Sequence, residues 1–472
     1  MAETSDPAGT ALSRDDITVT DPKTIRRAVG AAAIGNVTEW YDFGVYGYLA
    51  TTIEQVFFSG LPPAMGTIAT FGIFAVSFLV RPFGGLFFGP LGDRIGRKRV
   101  LSLTVILMAL GTFGLGVVPS YAAIGLASPM LALLARLVQG FSTGGEYGSA
   151  MTFIAEYAPD KRRGFFGSWL ETGTMTGYAF GATIATILSA TLSEPDLLSW
   201  GWRIPFFIAL PLGVVGLYLR SKLEDSPAFE QLVKDSEKRE GTPIGQELKA
   251  VFTRHWPGLL LCMVLVATWN ITNYMLTSYM PTYLTKTLPD NNQSGIDTTT
   301  SHVLQIVVLV VLMVLLPVIG RISDRVGRRP VVLTGCVAMV VLSFPSVMLI
   351  RGDSATSVFG GLMLMGLMLA MFSATLPSTL PALFPTHIRA GALSIGFNIS
   401  VSLFGGTTST VMGSLVLLTG DLNWPAYYLV AAGVIGVVAI LLMRESANQK
   451  LPGSGPTVTS DAEADALVAS SR

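Results

Sequence analysis

The sequence predicts an all-α polytopic membrane protein, with twelve transmembrane helices in two pseudo-symmetric six-helix bundles, and three observations predict it. Only 13% of the 472 residues are charged and 50% are hydrophobic, with a mean hydropathy of +0.56; soluble domains carry about a quarter charged residues. Twelve apolar stretches can be laid out, each close to the roughly 20 residues that cross a bilayer as a helix. A charged loop also recurs in the same frame, at 89–99 and again at 320–330.

Taken in order, residues 1–24 are polar, lack the layout of a signal peptide and read as a disordered cytoplasmic tail. The apolar stretches lie near 28–53, 65–89, 100–118, 129–155, 165–190 and 204–220, then 257–280, 302–320, 331–350, 358–381, 390–418 and 425–443. Gly and Pro inside them suit membrane helices, where small residues allow close approach and neighbours cover disturbed backbone. These stretches divide the chain into an N-terminal bundle (25–220), a charged linker (221–254), a C-terminal bundle (255–445) and a cytoplasmic tail (446–472).

Lysine and arginine set the orientation. The N-terminal tail and the loops after spans 2, 4, 6 and 8 are basic, carrying Arg94, Arg97, Lys98 and Arg99, then Lys161 to Arg163, Arg220 to Arg254, and Arg321, Arg325, Arg328 and Arg329. The loops after spans 1, 3 and 11 have none, and those after 5, 7 and 9 have one each: Arg203, Lys286 and Arg351. Both termini are therefore expected in the cytoplasm, and a bacterial cytoplasmic (inner) membrane is the expected location. Net charge is zero, which removes a bulk electrostatic case for nucleic acid. Two cysteines and three scattered histidines offer no metal spacing, no cofactor is expected, and no nucleophile–base pair suggests an enzyme. The expected partners are a small zwitterionic or anionic substrate, H+ and the lipid bilayer, with the protein a monomer.

The repeated loops read GPLGDRIGRKR and GRISDRVGRRP, each following the second span of a six-span set. A second echo pairs Pro159, Arg163 and Gly164 with Pro385, Arg389 and Gly391. Parallel halves around a midplane site are one large transporter architecture. The GxxxDRxGR(K/R) loop resembles the signature of the major facilitator superfamily. With GNVTEWYDFGVYG (35–47), residues 139–171, WGWRIPFFIALPLG (200–213), YMPTYL (279–284), LFPTHIRAGALS (383–394), FNIS (397–400) and PAYYL (425–429), the chain resembles the metabolite:H+ symporter family over about 24–446. Within that family it is most similar to the osmoprotectant carriers. The resemblance implies alternating access driven by the proton gradient, importing proline, glycine betaine or an ectoine-like zwitterion. Some carriers of that group end in a coiled coil; here the tail is broken by Pro452, Gly453, Gly455 and Pro456 and has no sustained heptads.

Ions inside a bilayer are costly and by default functional. Five stand deep in the first bundle: Glu39, Asp42, Arg81, Arg136 and Glu146. At 1.5 Å per residue, Glu39, Arg81 and Glu146 share a level. Glu39, Asp42 and Tyr46 share one face of span 1, and Arg136, Gln139, Thr143 and Glu146 one face of span 4. Three acids against two bases leave one carboxylate holding a proton. A substrate carboxylate that claimed an arginine would strand a second acid, so cargo and H+ would bind together. Asp42 is the expected proton carrier, modulated by Arg136, with Glu39 nearby; the resemblance implies the same placement. Arg81 with Glu39 or Glu146 is the other pair. These ions could instead serve only to lock spans 1, 2 and 4 together.

The second bundle is expected to supply a neutral wall: Asn270, Asn273, Tyr274 and Thr277 share one side of span 7, with Asn398 from span 11. Trp40, Tyr41, Phe43, Trp269 and Tyr274 offer faces that attract quaternary ammonium, though each could equally be packing or interfacial. In the loops, Asp93 and Asp324 stand at helix C-termini, where the dipole disfavours anions. They require Arg97 and Arg328, or helix N-termini of the facing half. The resemblance implies that these loops latch the halves, with Glu156 joining Arg94 or Arg97, and Arg325 beside Asp324. An organic-acid symporter (dicarboxylate, 2-oxoglutarate or shikimate-like) is the alternative, but a dianion calls for a second cationic group that the C-terminal half does not offer. A drug-exporting antiporter would favour an apolar cavity without paired ions.

Overall fold

The computed structural model describes residues 12–95, 97–144, 146–221, 251–291 and 296–471, without the side chains of 15, 63, 89–102, 146, 219–221 and 387. Most of the predicted linker, 222–250, lies outside the described residues. Twelve long helical segments follow the twelve predicted stretches. In the first half, α1 runs Pro22–Tyr48 and continues as Ala50–Phe57, α2 Pro63–Leu79 and Arg81–Ile95, and α3 Arg97–Val117. Then come α4, Ala127–Thr143 and Glu146–Tyr157, α5, Arg163–Thr191, and α6, Ile204–Ser221. In the second half, α7 starts at Trp256–Tyr274 and passes through π-turns at Met275–Tyr279 and Tyr283–Thr287. It is followed by α8 (Thr298–Val326), α9 (Arg328–Ile350), α10 (Ala355–Thr379), α11 (Thr386–Ser400, a π-turn at Val401–Gly405, then Thr408–Thr419) and α12 (Trp424–Leu442).

The packing repeats between the halves. In the first, α1 lies along α5, α3 against α6, and α2 against α4; in the second, α7 lies along α11, α9 against α12, and α8 against α10. The halves meet through α5 on α8 and α2 on α11, the same two positions exchanged. Among the described residues, eight helices are long and apolar enough to cross a membrane. The first, third, fourth and fifth spans fall outside that set; the third is apolar but shorter, Leu103–Val117, and the other three carry Glu39, Asp42, Arg136 and Glu171 among their buried residues. Charge lowers their hydropathy because the ions face protein, not lipid.

Sequence dictates where helices break and touch. Asp21 caps α1 by accepting from Lys23 N (3.0 Å) and Thr24 N (3.2 Å), with Pro22 in the first turn. Helix α2 is interrupted at Val80, immediately before Arg81, and α4 after Thr143. The two interruptions abut. A Cβ on Gly140 would overlap the Ser77 carbonyl, and one on Gly144 the Arg81 carbonyl, so only glycine lets the two backbones approach this closely.

Residues 12–24 depart from the disordered tail expected for them. Arg14–Asp16 form a 3-10 turn, and β1 (Thr18–Val19) pairs in parallel with β2 (Thr457–Val458). Helix α13 (Asp461–Ser471) closes over them, with Ile17, Val458 and Ala464 forming a small core. Arg14 pairs with Asp461, and lies 3.6 Å from Asp465. Two short apolar stretches too weak to read in either tail alone make one unit together.

Gly140→Ala should lower the thermal unfolding midpoint in detergent by the equivalent of about 1–3 kcal/mol, the cost of overpacking where backbone cannot yield. Gly30→Ala, whose added Cβ meets nothing within 4 Å, should not; equal behaviour of the two would refute this account of the α2–α4 contact.

Candidate functional site

Three clusters of buried polar groups lie in the first half, and the second and third are met by side chains of the other half. In the first, Arg136 Nη1 donates to Asp42 Oδ2 at 2.6 Å and to Gln139 Oε1 at 2.5 Å. Gln139 Nε2 donates to the same Asp42 oxygen (2.5 Å) and to Thr112 Oγ1 (2.8 Å). The Arg136 guanidinium sits 4.0 Å above the Tyr46 ring, whose hydroxyl donates to Thr70 O. Asp42 Oδ1 is buried with no hydrogen-bond partner among the described residues. The i+3 and i+4 spacings on α1 and α4 produce this arrangement directly.

The second cluster centres on Arg81, 0% exposed. Its guanidinium carbon lies 4.3 Å from the Phe78 ring, 5.1 Å from Phe43 and 5.9 Å from Trp40. Glu39 Oε1 stands 4.0 Å from Nη2, and among the described residues none of the three guanidinium nitrogens has a hydrogen-bond partner. Tyr274 closes the sleeve from α7, 5.1 Å from Phe78 and 6.2 Å from Trp40, and Tyr178 from α5, 5.6 Å from Trp40. The result is a cation in an apolar, aromatic box, an expensive arrangement unless something arrives to complete it.

The third cluster was not anticipated. Glu171 on α5 is 2% exposed and accepts from the Tyr147 hydroxyl and, at 3.0 Å, from Thr174 Oγ1. Among the described residues no lysine or arginine lies within ion-pair reach of it. Tyr147 stacks on Phe397 at 4.5 Å, and Trp269, whose indole donates to Ser373 Oγ at 2.8 Å, lies 6.3 Å from Tyr147. Asn36 ties this cluster to the second, accepting from the Trp40 indole (2.9 Å) and donating to Leu170 O and Thr174 Oγ1. Within these three clusters acids outnumber bases three to two, Glu39, Asp42 and Glu171 against Arg81 and Arg136; the Glu146 side chain lies outside the described residues.

Other expected residues fall elsewhere. Tyr41 turns away, donating to Pro205 O (2.9 Å) and packing on Phe180, because one residue from Asp42 is 100° around the helix. Asn270 satisfies itself on Val266 O, one turn back (3.0 Å). Asn398 reaches the other half and caps the Gly144 carbonyl freed by the α4 interruption; Ser402 does the same for Phe78 O beside the α2 interruption. Both serve closure. Asn273 keeps a buried, unbonded Oδ1, while Thr277 hydrogen-bonds its own helix at Asn273 O.

Contacts between the halves close both ends. On the face bearing the termini, Asp324 accepts from Gly164 N (2.7 Å) and Phe165 N (2.8 Å), the first turn of α5, and Arg328 Nη2 lies 3.5 Å away. An aspartate disfavoured at its own helix C-terminus is thereby placed at the favourable N-terminus of another. Glu156 accepts from Arg389 Nη1 at 2.9 Å, a partner the loop reading did not supply. Arg325 is exposed, and the side chains of Asp93, Arg94 and Arg97 lie outside the described residues. The tail adds a strap: Arg389 Nη2 donates to Pro452 O (2.7 Å), Arg163 Nη1 to Gln449 O (3.0 Å), and Arg328 Nη1 to Ser446 O (2.8 Å). At the opposite face Lys286 of α7 reaches Glu54 of α1.

Comparison with known proteins places the chain. The sequence profile of the sugar (and other) transporter family matches residues 28–451. The chain is 46% identical over 461 residues to the glycine betaine/proline/ectoine/pipecolic acid transporter OusA of Dickeya dadantii, covering 97% of this chain and 91% of that one. It is 44% identical over 457 residues to the proline/betaine transporter of Escherichia coli K12 (96% and 90%). Its fold matches that of the xylose transporter XylE from E. coli in a partially occluded inward-open conformation, with TM-score 0.70, 18% identity and coverage of 91% and 100%.

The Glu156–Arg389 contact should hold the termini face shut. In a background lacking Cys262 and Cys336, Ser378→Cys lies buried against Gly167 of the other half. Glu156→Ala and Arg389→Ala should each raise its maleimide labelling roughly ten-fold, and the double variant no further than the larger single effect. Additive effects would mean the two residues act separately.

Proposed function

The chain belongs to the sugar (and other) transporter family, and from that premise we propose that it imports a zwitterionic osmolyte, such as proline, glycine betaine or an ectoine-like compound, together with a proton by alternating access. In this reading it lies in the bacterial cytoplasmic membrane with both termini inside, as its basic loops require. The observation that carries the proposal is the Arg81 guanidinium, set among aromatic rings beside Glu39, with no hydrogen-bond partner among the described residues. A guanidinium presents donors in a fork that a carboxylate fits with two parallel bonds. The rings around it suit a methylated or cyclic ammonium on the same molecule. A ligand carrying both groups a few ångströms apart fits this box, and relatives named for betaine and proline support the choice.

Proton coupling follows from the neighbouring acids. A substrate carboxylate on Arg81 competes with Glu39 for that cation, and a buried carboxylate whose cation is shared is more readily kept neutral. One turn further along α1, Asp42 holds Arg136 through Oδ2 and offers Oδ1 as a free oxygen for the proton. When Asp42 takes it, Arg136 retains Gln139 and the Tyr46 face, so the cation is not abandoned. Glu171, anchored by Tyr147, stands beside the aromatic wall where the ammonium would lie. Substrate and proton then each make the other's binding more favourable. An organic dianion would call for a second free cation, and Arg136 is already engaged by Asp42.

Proteoliposomes with an inward proton gradient should accumulate labelled glycine betaine or proline. Asp42→Asn should abolish accumulation while leaving exchange of labelled for unlabelled betaine. Arg81→Ala should raise KM by about 100-fold, as expected for a charge-assisted pair, and Arg81→Lys should not restore it. Accumulation of 2-oxoglutarate or shikimate, with none of betaine, would overturn this assignment.

A further inference from the structure

The ion pair at the outer face lines an open cleft. Lys286 Nζ donates to both Glu54 oxygens (2.5 and 2.6 Å) and to Thr67 Oγ1 (2.7 Å), and Thr67 Oγ1 donates to Glu54 Oε2 (2.8 Å). Glu54 and Thr67 belong to α1 and α2, and Lys286 to α7, so the pair spans the two halves. The side chains are only 9% and 20% exposed. Around them a cleft of about 330 Å³ is lined by Thr51, Gln55, Thr285 and Thr298 together with the pair itself.

Outward opening must move α1 and α2 away from α7, which breaks this pair and parts two opposite charges that are mostly buried. Breaking a partly buried pair is costly because each ion loses its partner without regaining full hydration. A zwitterion can pay both halves of that cost, its carboxylate meeting Lys286 and its ammonium lying near Glu54, with threonine and glutamine side chains at the rim. A lone anion or cation satisfies one charge and opposes the other. We infer that the Glu54–Lys286 cleft is a second, external binding site for small zwitterions, where the ligand replaces the gate's own ion pair and so favours outward opening. The ligand can shift the gate only by its preference for the opened arrangement, and the split pair supplies that preference. This inference rests on the zwitterionic cargo proposed above and adds a site distinct from Arg81.

The test uses intact cells or right-side-out vesicles, a background lacking Cys262 and Cys336, and Gln55→Cys, an exposed rim position, labelled by a membrane-impermeant maleimide. Arg81→Ala is included to remove the central site. Glycine betaine should still change the labelling rate about five-fold or more, while choline and tert-butylacetate, which carry one charge each, should leave it unchanged. E54Q/K286M should abolish the response. E54K/K286E should retain it, because a zwitterion can bind reversed, and that variant preserves the pair should the neutral one fold poorly. A betaine response that requires Arg81, survives in E54Q/K286M, or is matched by choline or tert-butylacetate would overturn the site. Failure of the Arg81-intact protein to accumulate betaine would instead overturn the cargo assignment itself.

Discussion

A buried positive charge, Arg81, enclosed by aromatic rings is the constraint on which the rest of this molecule depends. Arg81 cannot be left open to lipid, so helices α1, α2, α5 and α7 surround it with aromatic side chains. It sits just past an interruption in α2, and the facing interruption in α4 is held against it by glycine. The carbonyls loosened by those interruptions are taken by Asn398 and Ser402 of the other half. The same irregularity that admits the cation therefore also supplies contacts that hold the two halves together around it.

The two halves share a scaffold and differ in their fastenings. Arg163 and Arg389, the echoed residues, each reach back eight positions to a carbonyl at the end of the preceding helix, Ala155 O and Pro381 O, both at 3.1 Å. Beyond that shared task they diverge. Arg163 turns to Asp160 in its own half, and Arg389 crosses to Glu156. A duplicated fold thus keeps the backbone function of a residue while its side-chain partners become specialised, which is how a symmetric frame acquires an asymmetric working cycle.

Much of this was legible in the chain. The spans, the repeat and the depths of Glu39, Asp42, Arg81 and Arg136 follow from hydropathy and helical rise, because a bilayer leaves few places for an ion. Glu171 was overlooked although it lies within an apolar stretch; placing it by the same depth argument used for Glu146 would have found it. The Glu54–Lys286 contact was hidden because each residue, taken singly, reads as an ordinary charge near a helix end. Asn398 reads in sequence as a ligand residue, and its bond to the Gly144 carbonyl is not legible there, since no sequence signal says which carbonyls an interrupted helix will free. The β1–β2 pairing joins residues more than 400 apart through two-residue strands, too short for any periodicity to announce.

That pairing also bears on how far the halves can part. β1 leads directly into α1, whereas β2 hangs from α12 through residues 443–456, a segment that would span roughly 45 Å if drawn out. The clasped ends therefore form a leash with slack, not a rivet. When the termini face opens, Gln449 and Pro452 can let go of Arg163 and Arg389 while the little ladder stays intact, and on the return stroke the slack is taken up along the path it left.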